Sequence, residues 1–253
     1  FGSKVEFIDN PKDGRFKISM MPSKEHRSVT VSDGVIKRPL YNEVFVASGD
    51  PFRVEKTEGD RMGFGSGAVL YMHDPLVYTP DKLIRDYATN RFVCSYLARP
   101  PSREEYAEDL LRMSIFYGAL MYPENNIDVI GDYFIRKGFG GYLAYSVDPV
   151  TGKRKNNAGW TTAGPTIKAK MFSVCSDWIN LHGMRCDHPE ILEEFLEIPG
   201  MEDMKDYDLF VSLAGCLLAQ ESRSEEHTSE LQSHSELVCR LLLEKQNCST
   251  HTI

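Results

Sequence analysis

The most constraining stretch of the chain is Ala119-Leu-Met-Tyr-Pro-Glu-Asn-Asn126. Its apolar run, Leu120 to Tyr122, is short and bounded by turn-forming residues, the pattern of a buried strand. Pro123 has no N–H for a further ladder bond, so pairing is expected to stop there. Glu124 is left just past the end of a core strand, and a helical segment from Ile127 to Lys137 follows. In open α/β sheets, ligands bind in the crevice at the carboxyl ends of the strands. A solvated loop acid before an Asn-Asn turn is the plain alternative, and acids elsewhere in the chain bear on the choice.

Three strand-like segments come earlier. Glu43 to Asp50 closes on Gly49-Asp50-Pro51, Ser66 to Met72 follows the loop Gly63-Phe-Gly-Ser-Gly67, and Phe92 to Leu97 ends before Pro100-Pro101. Their short connections predict an antiparallel meander. Ser102 and Glu105 then form a capping box, and Tyr106, Leu110, Met113 and Tyr117 give the following helix one apolar stripe. Gly118 ends it. Three strands, helix, strand, helix is the order of a ribonuclease-H-like fold, so the expected class is α/β, a mixed sheet with a βββαβα core flanked by helices.

Further on, Tyr142 to Ala158 reads as a hairpin carrying the basic turn Gly152-Lys153-Arg154-Lys155. A helix is predicted from Thr166 to about Leu181, then acidic linkers to Asp208. The last core element is Tyr207 to Gln220, where Phe210, Leu213, Ala214, Leu217 and Leu218 keep helical spacing. Asp206 and Asp208 stand at its start, where capping is the ordinary job of an acid.

Residues 1–40 hold short strand-like pieces and read as a linker or the end of an upstream domain, residues 41–221 as the main domain. Phe1 in place of Met, in strand-like sequence, suggests a fragment of a longer protein. Arg223 to Ser233 resembles the translation of a sequencing-library adapter, so residues 222–253 are set aside as an artefactual or disordered tail. The full chain carries 29 Lys and Arg against 37 Asp and Glu, a net charge of −8. Without the tail the counts are 26 and 32, a net charge of −6. Binding to nucleic acid would therefore rest on local basic patches. No apolar run approaches the roughly 18–20 residues of a membrane span. The six scattered cysteines include no CxxC and fit a reducing compartment. His182, Cys186 and His188 make a poor zinc pattern, and neither a cysteine nucleophile nor a Ser–His–acid pattern is legible along the chain.

Three acidic positions thus fall at element boundaries: Asp50, Glu124 and the pair Asp206/Asp208. First and fourth strands are neighbours in a ribonuclease-H-like sheet, so Asp50 and Glu124 can converge. Clustered carboxylates repel unless cations neutralise them, and hard oxygen ligands select Mg²⁺ or Mn²⁺. Two such ions would activate a water and stabilise the leaving oxygen of a phosphodiester.

These motifs carry a resemblance. Gly49-Asp50-Pro51, Tyr122-Pro-Glu-Asn-Asn126, Gly159-Trp-Thr-Thr162 and Tyr207-Asp-Leu-Phe-Val-Ser-Leu-Ala214 together resemble the nuclease domain of tailed-phage terminase large subunits, over roughly residues 41–221. The resemblance implies a magnesium- or manganese-dependent endonuclease that cuts concatemeric phage DNA during packaging. It implies metal ligands and catalytic acids at Asp50, Glu124 and Asp208, with Asp206 as an alternative third ligand, because the family often has two adjacent acids where Tyr207 here separates them. Double-stranded DNA, the portal and the small terminase subunit are the implied partners, host cytoplasm the implied location, and no membrane is involved. The family's ATPase motor is not expected in this chain, which has no G-x-x-x-x-G-K-[ST]. Lys153, Arg154 and Lys155 are the candidate DNA contacts. Another ribonuclease-H-like nuclease, a resolvase or transposase core, and a non-catalytic assembly or DNA-binding module remain the alternatives.

Overall fold

The computed structural model describes residues 5–24, 30–40, 42–52, 63–72, 89–147 and 154–222. The adapter-like tail from Arg223 onward and Lys153 lie outside the described residues. Residues 1–219 cluster as one compact unit and 220–253 as a second, of which 220–222 are described.

In chain order the elements are β1 (Phe16–Ile18), β2 (Thr30–Asp33), β3 (Ile36–Pro39), β4 (Phe45–Asp50), β5 (Gly65–Tyr71) and β6 (Arg91–Ala98). Helix α1 (Arg103–Tyr117), β7 (Leu120–Pro123), α2 (Val129–Arg136), β8 (Tyr145–Val147) and β9 (Arg154–Ala158) follow. Helices α3 (Pro165–His182), α4 (Pro189–Glu197) and α5 (residues 208–222) complete the described chain. The five-stranded sheet has the order β1-β6-β5-β4-β7. β1/β6, β5/β6 and β4/β5 pair antiparallel, and β4/β7 pair parallel. The fold is therefore a mixed α/β sheet flanked by helices, compatible with a ribonuclease-H-like α/β fold.

Half of the predicted capping box is in place. Ser102 Oγ accepts from the Glu105 N–H at 3.1 Å, while the Glu105 carboxylate pairs with Arg15, and Gly118 ends α1 at φ 64°, a left-handed cap that suits glycine. Side chains along a strand alternate between faces, and this alternation divides the core in two. Phe45, Ala47, Val69 and Met121 pack with Leu110 and Leu111 of α1 and Ile130 and Phe134 of α2. Val46, Ala68, Leu70 and Tyr122 pack on the other face with Met171, Cys175 and Trp178 of α3 and Leu213, Ala214 and Leu217 of α5.

Three stretches differ from expectation. β1 pairs with β6, so part of the stretch 1–40 is the edge of the main sheet. β2 and β3 form a hairpin around Gly34, at φ 65°, inside the stretch read as a linker. The supposed linker before Asp208 contains α4 and a 3₁₀ helix, Met201–Asp206. Its signal was legible: Pro189 at the first helical turn, then Ile191, Leu192 and Phe195 at helical spacing.

Candidate functional site

Parallel pairing sets Val46 opposite Leu120 and Gly49 opposite Pro123. The next positions, Asp50 and Glu124, lie side by side with backbones one interstrand spacing apart, roughly 4.8 Å. Pairing does not stop at Pro123: the Glu124 N–H still donates to the Gly49 carbonyl at 2.9 Å. Alternate residues of a parallel strand bond to opposite sides, and Pro123 is turned the other way, its carbonyl accepting from Trp160 N–H at 3.0 Å. Its missing N–H costs the β4 ladder nothing.

Strand parity then puts the acids on one face. Asp50 continues the series Val46, Ser48; Glu124 follows Tyr122; and Ser66, the cross-strand partner of Asp50, follows Leu70 and Ala68. This is the face that α5 covers. Ser66 Oγ donates to the Asp208 carbonyl and lies 2.6 Å from Ser212 Oγ, which ties the start of α5 to the strand beside Asp50.

Glu124 is buried, 4% exposed, and its carboxylate is held on both oxygens. Oε2 accepts from Asn126 N–H at 3.1 Å, and Oε1 accepts from the Thr162 hydroxyl at 3.1 Å. Asn126 closes the network, donating from Nδ2 to Thr162 Oγ1 at 2.6 Å and accepting from Thr161 Oγ1 at 2.7 Å. The segment Trp160 to Thr162 reaches Glu124 because Trp160 continues β9 alongside β7 in a parallel bridge. Its threonines are functional candidates that the residue-by-residue sequence reading left without a role.

The role expected of Asp208 falls to another residue. The first free amides of α5, Leu209 and Phe210 N–H, donate to Glu194 at 3.4 and 2.7 Å. Burial pushes the Glu194 carboxyl up to about 7 even though those two amides oppose the shift. Asp208 Oδ2 accepts instead from Phe64 N–H, at 2.7 Å, in the glycine-rich loop. Burial raises the Asp208 carboxyl as well, with Asp206 adding to the rise and the Phe64 amide and Arg99 opposing it. Arg99 is positioned by a bond to the Gly63 carbonyl and by the Phe52 ring, 4.7 Å from its guanidinium. Asp206 is exposed at the end of its 3₁₀ helix.

One buried group reports on all three acids. Tyr106 donates its hydroxyl to the Ser66 carbonyl at 2.7 Å. Burial first, then the charges of Asp50, Tyr96, Asp208 and Glu124, push this phenol well above its ordinary range.

Carboxylates supported by hydroxyls form a hard oxygen donor set, which by its chemistry fits Mg²⁺ or Mn²⁺. Among the described residues, however, no three His, Cys, Asp or Glu side chains form a group able to hold a metal ion. Glu124 and Asp208 spend their oxygens on Asn126, Thr162 and Phe64. Of the basic run, Arg154 opens β9 and Lys155 is exposed on it. Trp160, two residues past the end of β9, bridges to Glu124, so the basic strand leads toward that acid. No helix among the described residues is long and apolar enough to cross a membrane. No family model matches the chain, and no curated protein matches it.

Proposed function

We propose that the chain is a divalent-metal-dependent endodeoxyribonuclease domain of the phage-terminase type, cutting double-stranded DNA with Asp50, Glu124 and Asp208. The observation that carries this reading is the transfer of the helix cap to Glu194. It leaves Asp208 turned toward Gly63 and Phe64, on the sheet face that also bears Asp50 and Glu124. A cluster whose acids only capped helices would not need a separate residue for that task.

In this reading the three carboxylates hold one or two Mg²⁺ or Mn²⁺ ions, which supply water activation and charge neutralisation at the phosphate when bound. Asn126 and Thr162 orient Glu124, and the Phe64 amide orients Asp208, so the donors are fixed before substrate arrives. Tyr106 stays neutral beneath the site and holds the β5 backbone at Ser66. Lys155 draws the phosphate backbone along β9 toward the acids, and Lys153 and Arg154, its neighbours in sequence, add positive charge for that contact. The portal and the small terminase subunit are the partners this reading carries with it.

The test is plasmid cleavage by the full chain. Nicking or linearisation is expected with Mn²⁺ or Mg²⁺ and is abolished by EDTA. Asp50→Asn and Glu124→Gln each remove cleavage while circular dichroism stays native. Full activity in either variant removes that residue from the site, and cleavage that survives EDTA ends the metal reading.

A further inference from the structure

A second cluster of polar groups lies at the far edge of the sheet, where β1 and β6 meet the start of α4. Ser95 on β6 donates its hydroxyl to Glu190 Oε1 at 2.5 Å. That commits its one proton, so at 3.1 Å Ser95 Oγ must accept from His188 Nδ1. His188 is 2% exposed, and burial keeps its imidazole neutral against the pull of Glu190. With the proton on Nδ1, the lone pair is on Nε2, and Nε2 lies 3.0 Å from the hydroxyl of Ser19. A second acceptor for that hydroxyl, the Phe92 carbonyl, is farther away at 3.5 Å. Glu190 stays ionised. Burial opposes this, but Ser95, its own backbone amide and Lys17 hold its carboxyl below the usual range. The Lys17 ammonium is 3.1 Å from Oε2.

The hydrogen bonds therefore run in one direction, from Ser19 through His188 and Ser95 to Glu190. Ser19 is anchored by its N–H on the Val93 carbonyl at 3.0 Å, yet it is exposed on a cavity of about 290 Å³. Lys17, Ile18, Pro189 and Glu193 line the same cavity. That volume admits a short acyl group. Lys17 balances Glu190, Arg91 pairs with Asp187, and Glu193 tips the rim toward negative charge.

We infer that Ser19 is an activated nucleophile, with His188 as its general base, in a hydrolytic site that takes small neutral or cationic carboxylic esters. Ser19 Oγ bonds to the ester carbonyl carbon as its proton passes to His188 Nε2. The C–O bond breaks, and the departing alcohol takes that proton, leaving acyl-Ser19. Water then adds to the acyl carbon through the same nitrogen, releasing the carboxylic acid and restoring the Ser19 hydroxyl. Ser95 and Glu190 are positioning residues that fix the imidazole tautomer. No metal enters this chemistry, and the inference does not rest on the nuclease reading.

The test uses the full chain in EDTA, which silences the carboxylate site, with a fluorophosphonate probe and p-nitrophenyl acetate. One phosphonyl adduct is expected, on the peptide containing Ser19, together with turnover of the ester. Ser19→Ala, an exposed substitution, abolishes both with an unchanged melting temperature. Glu190→Gln slows acylation by up to about 10⁴-fold, the loss seen when the acid that orients a triad histidine becomes an amide. A purely structural role for His188 predicts no adduct on Ser19 and equal ester turnover in wild type and Ser19→Ala. Either result overturns the inference.

Discussion

Gly159→Ala is the sharpest perturbation available near Glu124. Gly159 joins β9 to Trp160 at φ 79°, and a Cβ there would stand 1.8 Å from the Pro123 carbonyl oxygen and 2.8 Å from its carbon. Both are backbone atoms, so no rotamer change relieves the contact. A left-handed backbone costs an L residue about 1–2 kcal/mol, and overpacking typically adds about 1–3 kcal/mol. The sum, about 2–5 kcal/mol, lowers the melting temperature of a chain this size by roughly 4–20 °C. Two controls separate the contributions. Gly164 has φ 108° with open space around its would-be Cβ, so Gly164→Ala shows backbone strain alone. Gly200, in extended backbone at φ −177° and also open, shows neither. Urea denaturation followed by circular dichroism should rank the stabilities Gly200→Ala, Gly164→Ala, Gly159→Ala, from highest to lowest. The displaced carbonyl belongs to the residue before Glu124, so metal-dependent cleavage should also fall in Gly159→Ala under conditions where it is fully folded. A Gly159→Ala protein as stable as Gly200→Ala would refute the packing argument.

Two further outcomes are expected. Glu194 keeps its proton up to about pH 7 in the folded chain, whereas the unfolded chain loses it near 4.5. The folded state therefore binds more protons between those values, and stability falls as pH rises through this window, by at most about 3 kcal/mol; Glu194→Gln should flatten the slope in denaturation curves taken from pH 4.5 to 7. Leu110→Ala, at a fully buried position, should cost about 2–5 kcal/mol. A Cβ on Gly49 would lie 2.4 Å from Leu110 Cδ1, so Gly49→Ala should be less harmful in the Leu110→Ala background than alone, and strictly additive losses would rule that contact out.

Much of the chain is legible without coordinates because the information is local. The Ser102 cap, the Gly118 stop and the apolar runs at β4, β5, β6 and β7 each depend on residues within a few positions of one another. Their order, three strands, helix, strand, helix, constrains the strand order through the rule that connections are short and uncrossed. Period-two alternation then assigns Asp50, Ser66 and Glu124 to one face. The helix α4 was also locally encoded, and charge between Pro189 and Glu197 masked its apolar spacing.

Other assignments depend on contacts that sequence distance conceals. Which acid caps α5 is decided by α4, which brings Glu194 to amides 15 and 16 residues away and releases Asp208 toward a loop 144 residues distant. Thr162 meets Glu124 across 38 residues because Trp160, just past β9, bridges to Glu124 just past β7. Ser19 and His188 are 169 residues apart, and neither lies in a motif that announces the other. Local propensity fixes which elements form and which faces are apolar. The hydrogen-bond partners of a buried polar group are fixed only when folding closes those long loops and forces each donor and acceptor to find a partner in place of water.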